Sequence, residues 1–176
     1  ALRSSGIHSN GFSLVRKIIE ISGAALESPA PFQSKADHLG AALMTPTRIY
    51  QKAAAAALAT GGVSGIVHIT GGGLIENPPR VFDNWISFRL NCASMPLPPV
   101  FSWIRNTGNI EMSELARTFN CGIGLIIYVD ASKAHEVLGA LQTGPEPEAY
   151  IVGDIVVRDD QPAVILDGVD HWRRRT

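Results

Sequence analysis

A continuous apolar run at residues 123–129, Ile-Gly-Leu-Ile-Ile-Tyr-Val, constrains the fold more than any other feature of this chain. A strand with one face in water alternates apolar and polar residues, whereas a strand that is apolar throughout is covered on both faces. The sequence therefore predicts a central strand here, with other elements packed on each side of it.

Strand and helix signals elsewhere in the chain do not alternate regularly. Strands are predicted at residues 65–69, 86–90, 149–157 and 163–166, the last two as a hairpin with Gly153 as a bulge. Helices are predicted at residues 12–22, 37–44, 45–58, 112–119 and 130–141. A short helix is predicted after the three glycines 71–73, with a restart at Asn77-Pro78, and another from Pro98 through Ile104, ended by Gly108. The broken alternation predicts an α+β fold, a mixed β-sheet with helices packed on it, in one layered domain over residues 1–176.

Two glycine-rich junctions lead from extended segments into helices. The first is residues 6–17, in which Ser9 or Asn10 is predicted to cap the helix and Gly23 to end it. The second is residues 68–77, with three consecutive glycines. Glycines let the backbone approach a ligand closely, and a helix N-terminus suits anions. The second junction is not a Walker A loop, so a tight turn competes with a phosphate loop.

Thr45 and Pro46 are predicted to start the third helix, as N-cap and first helical residue. Arg48 would then lie in a first helical turn, where a cation opposes the helix dipole. That position favours an anionic partner for Arg48, either a substrate phosphate or a carboxylate such as Glu76. A plain surface ion pair is equally compatible with the pattern.

Two histidines are candidates for chemistry. His8 is either a general acid or base or a side chain that orders its loop, and a nearby helix N-terminus keeps its imidazole neutral. His68 is either a core histidine or a substrate contact. Asn120 and Cys121 are expected to shape the turn into the apolar strand, and nothing in the local spacing pairs Cys121 with a base as a nucleophile needs.

Charge and composition exclude several classes of function. The net charge is −1, which gives no overall attraction for nucleic acid or an anionic membrane. The basic tail 173–175 is short and is expected to be solvated. Two cysteines without a Cys-x-x-Cys motif favour a reducing compartment, the cytoplasm. The apolar runs are too short to span a bilayer, and no signal peptide is recognised.

Four stretches resemble the C-terminal domain of the aminoimidazole ribonucleotide synthetase (phosphoribosylformylglycinamidine cyclo-ligase) family. In family order they are residues 8–16 (HSNGFSLVR), 43–50 (LMTPTRIY), 68–80 (HITGGGLIENPPR) and 117–124 (RTFNCGIG). Phe12 stands where the family more often has Tyr, and Pro78 where it often has Ile. Residues 24–36 and 83–97 match poorly, so nothing is carried over from them.

The resemblance implies an enzyme that uses ATP to close the imidazole ring of formylglycinamidine ribonucleotide, in de novo purine synthesis. It implies that His8 is catalytic. The residues that it implies for binding of substrate or phosphate are Ser9, Asn10, Gly11, Arg48, Thr70, Gly71, Gly72, Gly73, Glu76 and Asn77. It implies no metal ligand in this chain: ATP and Mg²⁺ would be bound mostly by an N-terminal domain that this chain lacks. That domain would also form the core of a parent homodimer, and the isolated chain would be inactive.

Two alternatives stay open. Related ATP-dependent enzymes, of the formylglycinamidine ribonucleotide synthetase or selenophosphate synthetase type, resemble the same fold, although residues 46–50 and 117–124 favour the cyclo-ligase. The second alternative is a free-standing binding or interaction module without activity. It stays open because the chain lacks the N-terminal domain of the family's enzyme.

Overall fold

The computed structural model describes residues 1–173, without the side chain of Arg173. The expected solvation of the basic tail therefore lies outside the described residues. The strands are β1 (Leu2–Arg3), β2 (Val63–His68), β3 (Ile86–Asn91), β4 (Ile123–Val129), β5 (Gly153–Val157) and β6 (Val164–Asp167). The helices are α1 (Phe12–Ser22), α2 (Leu39–Leu43), α3 (Gln51–Leu58), α4 (Gly73–Glu76), α5 (Pro99–Gly108), α6 (Met112–Thr118), α7 (Ala134–Gln142) and α8 (Asp170–Arg173). Short 3₁₀ turns cover Pro78–Val81, Cys92–Ser94 and Ala131–Lys133.

The strands form two three-stranded sheets. The first has the order β1-β4-β2 and is antiparallel. The second has the order β5-β3-β6 and is mixed, because β5 runs antiparallel and β6 parallel to β3. The predicted α+β fold with a mixed sheet is confirmed, with the strands divided between two sheets.

The central strand β4 is covered on both faces, as its apolar sequence predicts. On one face, Ile126 and Tyr128 belong to the larger core cluster together with Phe88 of β3. On the other face, Leu125 packs in a second cluster with residues of α3 and α7, including Val137. The strand thus separates two apolar layers, and its N-terminal end lies under the first glycine-rich junction.

The hairpin predicted at the C-terminal end is wrong. Strands β5 and β6 lie on opposite edges of β3 and do not pair with each other. Ser87 is fully buried and donates to the carbonyl of Pro162 at 2.7 Å, which holds the returning chain on the far side of β3. The bulge predicted at Gly153 is also wrong, because β5 begins at this residue and pairs with β3 without a register shift.

None of the helices described in residues 1–173 is long and apolar enough to cross a membrane. Helix α1 begins and ends where the sequence predicts, and Gly23 follows it in the left-handed conformation. Asp130 precedes a 3₁₀ turn without a side-chain cap, so α7 begins only at Ala134 and later than predicted.

Candidate active site at the glycine-rich junctions

His8 lies in a cluster of three rings at the start of the first junction. Its ring centroid is 6.4 Å from that of Tyr50 and 6.1 Å from that of His68. Tyr50 and His68 are 5.7 Å apart and meet edge to face. His8 is buried, with 4% of its surface exposed, whereas His68 is exposed at the end of β2. The interpretation of His68 as a core histidine is therefore wrong.

The imidazole of His8 has one nitrogen bonded and one free. Nε2 accepts a hydrogen bond from the backbone N–H of Ser5 at 3.2 Å, so the proton of the neutral ring is on Nδ1. Nδ1 is buried, and it has no partner within the described part of the chain. An N–H group that is buried and unpaired is costly, and it is suited to an acceptor on a ligand.

The protein keeps His8 neutral. Burial, followed by repulsion from His68, lowers the pKa of His8 to about 4. The sequence predicts a neutral imidazole, but from the helix dipole. The structure assigns the effect mainly to desolvation, since α1 begins only at Phe12.

This low pKa makes stability depend on pH. Between pH 4 and the usual His pKa of about 6.5, the unfolded chain binds more protons than the folded chain at this position. Stability should therefore fall as the pH is lowered through this window, with a slope from His8 of at most about 1.4 kcal/mol per pH unit. Urea unfolding of the wild type and of His8→Asn across pH 4–7 checks this. Equal slopes in the two proteins would contradict it.

Tyr50 is the third ring of the cluster, and it packs directly against Gly124 of β4. Its hydroxyl donates to the carbonyl of Arg3 at 2.7 Å. A Cβ on Gly124 of β4 would lie 1.8 Å from this hydroxyl oxygen and 3.1 Å from Cε1 of His8. The last glycine of the 117–124 stretch therefore makes room for both rings.

The helix start predicted at Thr45-Pro46 is wrong, because α3 begins at Gln51. The hydroxyl of Thr45 donates back to the carbonyl of Ala42 at 2.9 Å. The carbonyl of Pro46 accepts from the hydroxyl of Ser5 at 2.6 Å. The long-range bonds of Ser5 to Pro46 and of Tyr50 to Arg3 hold residues 45–50 near the start of the chain as a non-helical segment.

Arg48 lies in this segment and not in a helical turn, so no helix dipole opposes it. Its Nη2 is 2.7 Å from Oε2 of Glu146, whose side chain is 6% exposed. Burial raises the pKa of Glu146, and the charge of Arg48 opposes that rise. The predicted partner Glu76 instead lies 4.0 Å from Arg117, with about half of its side chain exposed.

Asn120 ties the first junction to the start of β4. Its Oδ1 accepts from the hydroxyl of Ser4 at 2.9 Å and from the N–H of Gly122 at 2.8 Å. Its Nδ2 donates to the carbonyl of Gly6 at 2.9 Å. The expected role of Asn120 in the turn is confirmed, and the neighbouring Cys121 thiol is buried, which raises its pKa and disfavours a nucleophile.

Replacing Asn120 by aspartate should destabilise the fold by about 2 kcal/mol, because the buried carboxylate cannot donate to Gly6. Its other bonds can persist, since an aspartate still accepts from Ser4 and Gly122. Urea unfolding checks this. The exposed variant Asn106→Asp serves as the control, and equal stability of the two variants would contradict the role given to Asn120.

The second junction is a loop built around the side chain of Asn77, which is 1% exposed. Its Oδ1 accepts from both the N–H and the hydroxyl of Thr70, and its Nδ2 donates to the carbonyl of Gly71 at 2.8 Å. Within residues 1–173, no protein group accepts a hydrogen bond from the N–H groups of Gly71 and Gly72. Asn77 therefore shapes the loop, and the N–H groups of Gly71 and Gly72 are not used in shaping it.

The two junctions meet at Asn10 and Gly71. A Cβ on Gly71 would lie 3.5 Å from Oδ1 of Asn10. The predicted cap on α1 is wrong, because Gly11 is the N-cap, with φ 74°, and no side chain bonds there. The ring of Phe119 packs against Gly11, where a Cβ would come within 2.3 Å of it.

The structure brings together most of the predicted site residues. His8, Asn10 and the loop at residues 70–73 lie at the meeting point, and the exposed hydroxyl of Ser9 is 3.3 Å from that of Thr47. Glu76 lies beside the same loop, since a Cβ on Gly72 would be 2.8 Å from its Oε2, and its Oε1 is 4.0 Å from Arg117.

Sequence reasoning missed Tyr50 and Glu146 as parts of the site. No local pattern distinguishes Tyr50 from an ordinary apolar residue of the following helix. Glu146 lies between two prolines in a surface-like stretch, and no local pattern marks it as the partner of Arg48.

The described part of the chain holds no group of three His, Cys, Asp or Glu side chains placed to bind a metal ion. The site instead contains hydrogen-bond donors, namely the N–H groups of Gly71 and Gly72 and the imidazole of His8. Such donors suit an anion rather than a cation.

Comparison with known protein families agrees with this arrangement. The family described as AIR synthase related protein, C-terminal domain, matches residues 1–165. The match covers all four of the stretches that build the site. Proteins of this superfamily are ATP-dependent enzymes. Because the match spans most of its length, the chain belongs to the family of AIR synthase related proteins, as a C-terminal domain.

Proposed function

We propose that this chain is the substrate-binding part of a cyclo-ligase that converts formylglycinamidine ribonucleotide to aminoimidazole ribonucleotide with ATP. The observation that carries the proposal is the buried, unpaired Nδ1–H of His8. The two stretches that favour the cyclo-ligase over its relatives supply Tyr50 and Asn120, which pack against His8 or fix its loop.

In the proposed reaction, ATP phosphorylates the formyl amide oxygen of the substrate. The amidine nitrogen then attacks the activated carbon and loses a proton. A C–N bond forms, the C–O bond to phosphate breaks, and inorganic phosphate leaves. The protein must bind anions, orient the two reacting groups and exclude water from the activated intermediate.

Each part of the site has a proposed task in this reaction. The Nδ1–H of His8 donates to the substrate oxygen that gains charge, since this donor is buried and pre-oriented. The N–H groups of Gly71 and Gly72 bind the ribose phosphate. Arg48 is paired with Glu146, so its proposed task is to hold the segment that carries Tyr50.

Magnesium is assigned to a second domain in this proposal. The described residues contain no cluster that could hold a metal ion, so this chain's own side chains do not fit Mg²⁺. The ATP site, the homodimer core and the cytoplasmic location of the parent enzyme are proposals from the family resemblance.

Calorimetric titration of the chain with formylglycinamidine ribonucleotide and, separately, with Mg-ATP tests the proposal. We expect the ribonucleotide to bind and Mg-ATP not to bind. The variant Gly71→Asp places a carboxylate at the loop and should weaken ribonucleotide binding about tenfold or more, because like charges repel.

The neutral variant Gly71→Asn is the matched control, since it adds nearly the same volume without the charge. It should bind almost as well as the wild type. Binding of Mg-ATP without the ribonucleotide would contradict the proposed division of tasks, as would equal affinities of the Asp and Asn variants.

A further inference from the structure

The proposed reaction leaves one proton without an acceptor. The amidine nitrogen of the substrate loses this proton as it attacks the activated carbon. His8 is not suited to take it, because its buried Nδ1 carries a hydrogen and its Nε2 accepts from the N–H of Ser5. Burial also lowers the pKa of His8 to about 4, so its imidazole stays neutral. The proton therefore needs a different acceptor beside His8.

His68 is the second imidazole of the ring cluster, and the fold places it differently from His8. It is the last residue of β2, where it pairs with Leu125 of β4 and immediately precedes the second glycine-rich junction. Its side chain lies on the same face of β2 as that of Ile66, because side chains alternate along a strand. Ile66 packs against the cluster that includes Tyr50. The ring of His68 meets Tyr50 edge to face, and His68 itself is exposed.

The imidazole of His68 is close enough to His8 for one bound substrate to contact both rings. The two ring centroids are 6.1 Å apart. A general base must come within about 3 Å of the atom that it deprotonates, and rings at this separation can reach neighbouring atoms of one substrate. Within residues 1–173, no protein group forms a hydrogen bond with the ring of His68. A nitrogen lone pair of the neutral ring is therefore accessible.

The two histidines have the contrasting surroundings that give paired titratable groups different tasks. His8 is 4% exposed, so an imidazolium there would lose most of its hydration. His68 is in contact with water, which can solvate an imidazolium. Repulsion from His68 adds to the lowering of the pKa of His8, so His8 stays neutral when His68 is charged. One ring can thus donate a hydrogen bond while the other gains a proton.

Other proton acceptors near the cluster are less suited to the task. The hydroxyl of Tyr50 donates to the carbonyl of Arg3, and burial raises the pKa of this hydroxyl. The carboxylate of Glu146 is 2.7 Å from the guanidinium of Arg48 and is already paired. Glu76, beside the glycine loop, is the competing acceptor that an experiment has to separate from His68.

We propose that His68 is the general base of the cyclisation, an inference that rests on the proposed function. A nitrogen lone pair of its imidazole takes the proton from the attacking amidine nitrogen as the C–N bond forms. The electron pair of the C–O bond leaves with the phosphate, and the imidazolium of His68 returns its proton to water. His8 keeps its own proton throughout.

The test uses the whole enzyme, with formylglycinamidine ribonucleotide and ATP as substrates. The variants His68→Gln and His68→Ala should lower kcat about 10²-fold or more, which is the usual contribution of a positioned general base. Both should fold normally, since the side chain that they replace is exposed. The control His135→Ala removes another exposed imidazole and should keep the wild-type kcat.

Rescue by an added base separates a catalytic role of His68 from a structural one. Because the place vacated in His68→Ala is open to water, free imidazole should raise the kcat of this variant about tenfold or more. Pyrazole has the same shape as imidazole but is a far weaker base, so it should restore no activity. Neither compound should change the kcat of the wild type or of His135→Ala.

Two results would overturn the inference while leaving the proposed function in place. One is an active wild type with normal kcat in both His68 variants, and a low kcat in Glu76→Gln would then assign the base to Glu76. The other is a loss of kcat in His68→Ala that imidazole does not restore, or that pyrazole restores equally well. A wild-type enzyme that does not cyclise the ribonucleotide would instead overturn the proposed function, and this inference with it.

Discussion

Replacing Gly73 by alanine is expected to destabilise the fold by about 4 kcal/mol, the sum of a left-handed backbone penalty and an overpacked contact. Gly73 has φ +54°, and a Cβ there would lie 2.2 Å from the carbonyl oxygen of Ala116 and 2.6 Å from that of Phe119. These are backbone atoms at the end of α6, so no side-chain rotation can relieve the clash. The loop or the helix end would have to move.

The matched control is Gly71→Ala, two residues earlier in the same loop. Its Cβ would meet only Oδ1 of Asn10, at an ordinary contact distance of 3.5 Å, and its backbone is not left-handed. This variant should lose less than about 1 kcal/mol. Urea unfolding of both variants measures the difference. A Gly73 variant as stable as the Gly71 variant would show that α4 and α6 do not approach as closely as described.

The sequence was a good guide wherever one short stretch determines the structure. The apolar run of β4 needs cover on both faces whatever follows it in the chain, and it has that cover. Helix α1 has a regular apolar stripe that ends at Gly23, so its bounds could be predicted. The turns at both junctions could likewise be predicted, because they depend on glycines that adopt left-handed conformations.

The errors occurred where distant parts of the chain compete with local preference. Thr45-Pro46 is a good local helix start, yet the carbonyl of Pro46 bonds to Ser5, 41 residues away. Strand β6 follows β5 closely, yet it pairs in parallel with β3 because Ser87 holds the returning chain there. No window of sequence contains both partners of such a contact.

In the candidate site, too, local features could be predicted from the sequence, whereas contacts between distant residues could not. The two glycine-rich loops could be identified from sequence, because their residue types are rare and specific. Their meeting at Asn10 and Gly71 could not, and neither could the pairing of Arg48 with Glu146, 98 positions later. The neutral state of His8 was predictable, but its main cause, burial of the imidazole, depends on the tertiary structure.

Replacing His8 by alanine in the whole enzyme is expected to lower kcat about 10²- to 10³-fold, the usual effect of losing one donor to developing charge. The Nδ1–H group is buried and has no partner in the described residues, so a substrate oxygen is its natural acceptor. KM should change little, because the bond strengthens as charge develops on that oxygen. Steady-state kinetics with formylglycinamidine ribonucleotide and ATP measures both constants.

The control is His135→Ala, which removes an exposed imidazole from α7 and should leave kcat unchanged. A structural role for His8 predicts a different result from a catalytic one. Since alanine is strained at φ 61°, some stability is lost in either case. Only the catalytic role predicts a low kcat at temperatures where the variant is fully folded. A normal kcat under those conditions would remove His8 from the reaction and leave it as a residue that orders its loop.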